Sequence, residues 1–284
     1  MPDAAPRRYR TLWISDLHLG TRGAQAARVL DFLKGTEAET LYLVGDIVDG
    51  WALRRGWNWP QAHNDVVQKV LRKARKGTEV VYIPGNHDGF ARQFVGLAFG
   101  DVAVRDRALH TTADGRRLLV LHGDEFDGVV RFAPWLSRLG GHLYEEILRA
   151  NTVVARVRDR MGLEYWSLAG YLKERTKKAV QYVGEFEAAV ARAAAEHGAD
   201  GVVCGHIHRA ELRTIETAHG DVLYANCGDW VESCTALAEH FDGRLEILRW
   251  ADPAAPHRQV LLHTSGDGVA SGDGVAGAVP TLAA

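Results

Sequence analysis

The sequence predicts an α/β layered fold built on a mixed sheet or on two sheets. Three observations carry that expectation. Short apolar runs rich in β-branched residues recur, each with Gly or Pro near its end and a polar cluster after it. Helical patterns lie between several of these runs. Hairpin turns appear later in the chain.

Taken in order, TLWIS precedes Asp16, TLYLVG precedes Asp46 and VVYIPG precedes Asn86. RLLVLHG then precedes Asp124, GVVCG precedes His206 and VLYA precedes Asn226. Each run has strand length, and the lack of clean polar alternation predicts strands covered on both faces. A helix is expected over Gln25–Lys34, with Ala26, Val29, Leu30 and Leu33 on one face. A second is expected over Pro60–Lys76. Pro60 suits a first helical position, and Val66, Val67, Val70, Leu71 and Ala74 supply the apolar stripe. Lys73, Arg75 and Lys76 complement the dipole of its last turn, and Gly77 caps it. TTADGRR, TAHGD and HFDGR read as hairpin turns, so a purely parallel sheet is not expected.

From about 129 to 198 no strand run occurs. Leu136, Leu139, Leu143 and Ile147, then Leu168, Leu172, Val180 and Val183, sit at helical spacings. A helical insertion is expected there, too long for a simple connection. The globular domain is expected to span 8–250, after a disordered 1–7. The segment 251–284 is dominated by Gly, Ala and Ser and carries SGDGVA twice. It has little to bury and is expected to be disordered.

Composition narrows the functional classes. Lys and Arg number 34 against 36 acidic groups, so the charge balance gives no reason to expect a nucleic-acid partner. The three cysteines lack zinc-type spacing and are odd in number, which argues for a reducing compartment. There is no apolar signal core at MPDAAPRRYR and no run near the ~18 residues of a membrane span. A cytoplasmic protein is expected, with peripheral contact at the inner face of the membrane left open.

The polar clusters at the run ends are the chemically informative feature. They offer Asp16 and His18, Asp46, Asn86 with His87, His122, and His206 with His208. In an extended segment residues i and i+2 point the same way, so each Asp-x-His or His-x-His pair is expected to aim at one point. Ligands of open α/β sheets bind beyond the carboxyl ends of the strands, so these clusters are expected to converge. Imidazoles with carboxylates suit zinc, manganese, iron or cobalt. Seven donors exceed what one tetrahedral ion needs, and two ions sharing a carboxylate fit better.

These blocks, Asp16-x-His18, Gly45-Asp46-x-x-Asp49, Gly85-Asn86-His87-Asp88, His122-Gly123-Asp124 and Gly205-His206-x-His208, resemble the ordered signature of the calcineurin-like metallophosphoesterases. The resemblance implies a two-sheet mixed β-sandwich flanked by helices, with a helical lid insertion. It implies that Asp16, His18, Asp46 and His208 hold one divalent ion. Asp46, Asn86, His122 and His206 would hold the other, with Asp46 bridging. Manganese is the expected ion, with iron, zinc and cobalt also suited. A finer resemblance, in SDLHLG, GDIVDGW and the insertion before GHIH, is to the UDP-2,3-diacylglucosamine pyrophosphatases of lipid A synthesis. The best-known branch of that group has Arg where this chain has His87, and a second branch keeps His.

The implied chemistry is attack of a metal-bridging hydroxide on a pyrophosphate, releasing UMP and a lipid phosphate. Asn86 would help stabilise the phosphoryl oxygens, and His87 would protonate the leaving oxygen or hydrogen-bond to the phosphate. Asp49, Asp88 and Asp124 are expected to fix imidazole tautomers. Phe90, Asp127, Lys177 and Lys178 are expected at the substrate. A soluble phosphodiesterase or phosphomonoesterase acting on small nucleotides or phosphoproteins is the alternative. A binding module that has lost catalysis is a third, disfavoured because no donor is missing. The isolated histidines, His63 and His110 among them, are read as structural or surface residues.

Overall fold

A computed structural model of the chain describes residues 5–127, 168–250 and 259–264. The first half runs β1 (Arg7–Ile14), α1 (Ala26–Gly35), β2 (Thr36–Val44), α2 (Gly50–Arg55), α3 (Gln61–Arg75) and β3 (Glu79–Ile83). A 3-10 turn (Gly89–Phe94) leads to the short β4 (Ala98–Phe99) and β5 (Val102–Val104). The hairpin of β6 (Ala108–Thr111) and β7 (Arg117–Val120) follows. After α4 (Leu168–Glu196) come β8 (Gly201–Cys204), β9 (Glu211–Thr217), β10 (Gly220–Asn226), β11 (Thr235–Glu239), β12 (Leu245–Arg249) and β13 (Gln259–Thr264).

Two mixed sheets result. The larger has the order β13-β12-β11-β1-β2-β3-β5-β4, and the smaller has β6-β7-β8-β10-β9. β1, β2, β3 and β5 are parallel, as their helical crossovers require, and β7, β8 and β10 are parallel in the smaller sheet. All three predicted hairpin turns join antiparallel neighbours, β6 to β7, β9 to β10 and β11 to β12.

Strand alternation explains the apparent lack of polar alternation. In β2, Leu41 and Leu43 pack toward α1 and α3, while Tyr42 and Val44 point into the space between the sheets. In β7, Leu118 and Val120 meet them from the opposite side, while Leu119 and Leu121 face α4. The central strands are apolar on both faces because each sheet is covered on both faces. Burying one such Leu or Ile contributes about 1.5–3 kcal/mol, so the three clusters dominate stability.

Several boundaries differ from expectation. β1 begins at Arg7, one residue before the expected domain start. Pro60 sits at the cap position before α3, with ψ 161°, and is not the first helical residue. Lys73 is buried, its Nζ donating to the Thr36 carbonyl at 2.5 Å, so it does not serve as a solvent-facing dipole partner. Residues 129–167 of the expected insertion lie outside the described residues, and the rest of it is the helix α4. The C-terminal part of α4 is no lid. Phe186, Val190 and Ala194, four apart, are buried against Leu119, Leu121, Val202 and Tyr224 as an outer layer of the sandwich. The expectation of disorder from 251 onward fails at Gln259–Thr264, which pairs antiparallel with β12. That six-residue run, QVLLHT, is apolar enough to extend a sheet edge, unlike the Gly-rich sequence after it.

Candidate metal centre

Every block of the sequence motif lies just past a strand end on one side of the sandwich. Asp16 and His18 follow β1, Asp46 and Asp49 follow β2, and Asn86, His87 and Asp88 follow β3. His122 follows β7, and His206 and His208 follow β8. The loops after β1 and β2 are bonded to each other, by Asp16 N to Gly45 O at 3.0 Å and His18 N to Asp46 O at 2.9 Å. Within the smaller sheet, the loops after β7 and β8 are joined likewise, Gly205 N donating to His122 O at 3.1 Å.

The backbone there is strained. Among the described non-glycine residues, those with positive φ are Asp16 (54°), His18 (48°), Asp46 (54°), His206 (69°), His208 (54°) and Cys234 (50°). Five of the six are proposed metal donors, and each left-handed residue costs on the order of 1 kcal/mol or more. This corrects the expectation that Asp16 and His18 converge as alternate residues of an extended segment. They meet because each takes a left-handed turn beyond the strand. Gly85 is required by close approach: a Cβ on it would lie 2.6 Å from His122 Nε2.

Two groups of donors share Asp16. Its Oδ1 lies 3.1 Å from His208 Nε2 and 3.9 Å from His18 Nε2, and the two imidazole nitrogens are 3.2 Å apart. In the second group Asp16 and Asp46 lie with His122. Asp46 also reaches both sides, with Oδ2 3.9 Å from His18 Nε2 and 3.6 Å from His122 Nε2. One oxygen of each carboxylate is held by an amide: Asp16 Oδ2 accepts from His206 N at 3.0 Å and Asp46 Oδ1 from His87 N at 2.8 Å. The other oxygen of each is left toward the cluster.

Hydrogen bonds set which imidazole nitrogen is available. His122 Nδ1 donates to the Val44 carbonyl at 3.0 Å, which leaves Nε2 as the nitrogen that takes up either a proton or a metal ion. Asp49 Oδ2 lies 3.2 Å from His18 Nδ1 and 2.9 Å from His87 Nδ1, holding both rings with Nε2 free of it. Its other oxygen caps α2 by accepting from Ala52 N at 2.6 Å. Asp49 thus lies within hydrogen-bond reach of two of the imidazoles.

Asp88 and Asp124 bond elsewhere. Asp88 accepts from Gly85 N, Ile47 N and Tyr82 Oη, which bind the loops after β2 and β3 together. Asp124 is paired with Arg92 through both oxygens at 2.7 Å. In each case a backbone amide or guanidinium outcompetes a more distant imidazole. His206 and His208 also part company: His208 faces Asp16, while His206 Nε2 lies 2.6 Å from Asp127 Oδ1. Asp127, expected at the substrate, is held there by a second bond, from Tyr182 Oη of α4 at 2.9 Å. Nothing in the sequence signalled that α4 would reach the HGD block.

Phe90 is exposed on the 3-10 turn beside Gly50, and Lys177 and Lys178 fall on α4 where side chains lie outside the described residues. Trp51, exposed on α2, packs on His87 with ring centroids 4.2 Å apart. His18 meets the same ring edge-on at 4.7 Å.

The electrostatics follow from burial and opposite charge. Burial raises the Asp16 carboxyl, but His208, His122 and His18 outweigh it and hold it below the usual range. Burial lowers the His122 imidazole, yet Asp46 and Asp16 push it up to about 10. His208 is raised to about 9, with Asp16 overcoming burial. His87 is raised as well, by Asp49, Asp46 and Asp16 against burial. The pocket strongly favours positive charge.

Three buried side-chain atoms of the cluster, Asp16 Oδ1, Asn86 Oδ1 and His122 Nε2, have no hydrogen-bond partner among the described residues. His208 Nε2 beside Asp16 Oδ1 and Asp46 Oδ2 beside His122 Nε2 are ion-pair contacts without hydrogen-bond geometry. An unsatisfied buried polar group costs about 1–3 kcal/mol, so three together call for a ligand. All three are electron-pair donors, and imidazole with carboxylate and amide oxygen suits a first-row divalent ion.

Comparison with known proteins agrees. The family model described as calcineurin-like phosphoesterase matches residues 9–210. A UDP-2,3-diacylglucosamine hydrolase of Xanthomonas oryzae pv. oryzae is 28% identical over 248 residues, covering 82% of this chain and 96% of that protein. Another of that name, from Azotobacter vinelandii, is 28% identical over 224 residues, covering 78% and 90%. Among solved structures, the phosphoesterase Yfce from E. coli aligns over 89% of this chain and 97% of its own, at 17% identity and a TM-score of 0.45. With the motif blocks spread over most of the matched span and their side chains gathered at one end of the sandwich, the chain belongs to the calcineurin-like phosphoesterase family, hydrolases of phosphate ester and anhydride bonds.

Proposed function

We propose that the chain is a dinuclear-metal phosphohydrolase that cleaves the pyrophosphate of UDP-2,3-diacylglucosamine, or of a similar lipid-linked nucleotide sugar, to UMP and a lipid phosphate. The observation that carries the chemistry is the cluster of orphaned buried donors at Asp16, Asn86 and His122. The names of the relatives support the substrate. The family implies divalent metal ions. Asp16, His18, Asp46 and His208 would hold one and Asp46, Asn86, His122 and His206 the other, with manganese as the expected metal. Such ions, when bound, supply Lewis acidity at phosphoryl oxygens and a nucleophile at neutral pH.

The chain's own residues supply the rest. Asp49 fixes the His18 and His87 rings, and the His122–Val44 bond fixes a third. His87 keeps Nε2 4.0 Å from Asp46 Oδ2, at the edge of the cluster, where a protonated imidazole delivers a proton to a leaving oxygen. Trp51 and Phe90 form an exposed apolar rim beside it, suited to a lipid-bearing substrate. No helix among the described residues is long and apolar enough to cross a membrane, so a lipid substrate would be met at the membrane surface. The remainder of the acyl-binding surface would be 129–167, which lies outside the described residues.

A substrate panel tests this reading. UDP-2,3-diacylglucosamine, an aryl phosphodiester and a phosphomonoester are compared by kcat/KM. Preference for the first by orders of magnitude is expected; equal rates would favour the general phosphodiesterase. A second test separates His87 from the metal donors. His87→Ala is expected to lower kcat by about 10²–10⁴, the usual scale of general acid catalysis, with metal content per chain unchanged. Loss of metal in that variant would make His87 a ligand.

A further inference from the structure

Two side chains one turn apart on α4, Tyr182 and Phe186, reach the loops that present His122 and His206. Phe186 is fully buried and lies against the His206 ring, with centroids 5.9 Å apart. A Cβ on Gly123 would lie 2.7 Å from the Phe186 ring, so the glycine of the His122-Gly123-Asp124 block makes room for α4. Tyr182 Oη donates to Asp127 Oδ1 at 2.9 Å. The same carboxylate oxygen lies 2.6 Å from His206 Nε2.

His206 differs in this from the other imidazoles of the cluster. His18, His122 and His208 each have Nε2 within 4 Å of Asp16 or Asp46. His206 gives its Nε2 to Asp127 instead, a carboxylate outside the donor groups found among the described residues. With Nε2 held there, Nδ1 is the ring nitrogen left for a metal ion. The backbone fixes the residue from the cluster side, since His206 N donates to Asp16 Oδ2 at 3.0 Å. Burial does not hold Asp127, whose side chain is 47% exposed. What holds it is the pair of groups from α4 and from the loop after β8 that converge on one oxygen.

We propose that Asp127 and Tyr182 are positioning residues of the metal centre. Asp127 holds the His206 ring by Nε2 and so assigns Nδ1 to the ion. Tyr182 holds Asp127, and so makes the affinity for that ion depend on α4 being packed on the smaller sheet. Asp127 thereby acts at the metal centre and not through the substrate contact expected of it. The proposal rests on the reading of His206 as a metal donor.

Equilibrium dialysis of the full chain against Mn²⁺ tests it, with wild type and four variants. His206→Ala removes the donor and is expected to lose one of two ions. Asp127→Ala is expected to weaken that ion about 10–100-fold, the usual cost of losing the group that orients a ligating imidazole. The other ion should stay, which also reports that the variant is folded. Asp127→Asn keeps an oxygen that accepts from both neighbours and is expected to restore most of the affinity. Tyr182→Phe keeps the ring, loses one hydrogen bond and is expected to weaken the same ion about three- to fivefold. KM at saturating Mn²⁺ should not move in Asp127→Ala. A raised KM with unchanged Mn²⁺ affinity would make Asp127 a substrate contact and overturn the proposal. Asp127→Asn as damaging as Asp127→Ala, with Tyr182→Phe silent, would make Asp127 itself a ligand and overturn it too. If His206→Ala retains both ions, the reading of His206 as a donor fails and the proposal with it. If His206→Ala loses an ion that Asp127→Ala and Tyr182→Phe bind like wild type, that reading stands and the positioning roles alone fall.

Discussion

Asp46→Ala is expected to strip the protein of both metal ions and to lower phosphohydrolase turnover by at least about 10³. The reason is position. Asp46 Oδ2 lies between His18 Nε2, at 3.9 Å, and His122 Nε2, at 3.6 Å, and so reaches toward both proposed sites. Its other oxygen accepts from His87 N, so the same substitution also frees the loop that presents Asn86. Losing Lewis acidity and the activated nucleophile removes several kcal/mol of transition-state stabilisation, and each 1.36 kcal/mol is tenfold in rate. Metal analysis by inductively coupled plasma mass spectrometry after exhaustive dialysis gives the direct readout, close to zero ions per chain. Asp16→Ala is the discriminating control. Asp16 belongs to two of the three donor groups among the described residues, but in the proposed assignment it serves only the ion of His18 and His208. That variant should retain about one ion. If Asp16→Ala loses both ions and Asp46→Ala keeps one, the bridging role belongs to Asp16.

The sequence made the strand ends legible because each motif residue comes within a few positions of a β-branched run that can only be a buried strand. Asp16, Asp46, Asn86, His122 and His206 could thus be placed at one end of the sandwich before any coordinates. The aim of individual side chains could not. It depends on left-handed turns at Asp16 and His208, which hydrophobic periodicity does not signal, and on partners far away in sequence. Asp127 and Tyr182 are 55 positions apart, and their contact exists because α4 packs on the smaller sheet. Asp88 and Asp124 were misjudged for a related reason. Proximity in sequence to a histidine says nothing of the amides and the guanidinium that reach them first. α2, β4 and β5 are too short for periodicity to register, and β13 was hidden by the composition around it. His110, read as a structural or surface residue, gave no hint of what it holds.

What it holds is a buried carboxylate, and this sets the largest expected effect on stability. Glu239 of β11 is fully buried. It accepts from Thr11 Oγ1 at 2.7 Å, Arg10 Nη1 at 2.7 Å and Ala113 N at 2.7 Å, and it lies 2.9 Å from His110 Nε2. These partners come from β1, from β6 and from the turn after β6, so one side chain ties the larger sheet to the smaller. His110 in turn packs edge-on against Trp13 and Tyr42, in the core between the sheets. Glu239→Ala removes the Arg10 ion pair and leaves the buried Thr11 hydroxyl and His110 ring without their carboxylate partner, and is expected to destabilise the fold by about 3–5 kcal/mol, the usual cost of breaking a buried ion pair. Burial raises the Glu239 carboxyl, but His110, Thr11 and the Ala113 amide outweigh it and hold it below the usual carboxylate range in the fold. A depressed carboxyl contributes stability above its unfolded pKa and loses it as pH falls through the folded value. The difference in unfolding free energy between wild type and Glu239→Gln, by urea titration, should therefore be constant from pH 7 to about 5 and shrink below about 4.5. Taking the difference cancels the acid loss of metal, which both proteins share. A gap that stays constant down to pH 3 would show that the charge on Glu239 contributes nothing, and that its hydrogen bonds alone hold the sheets together.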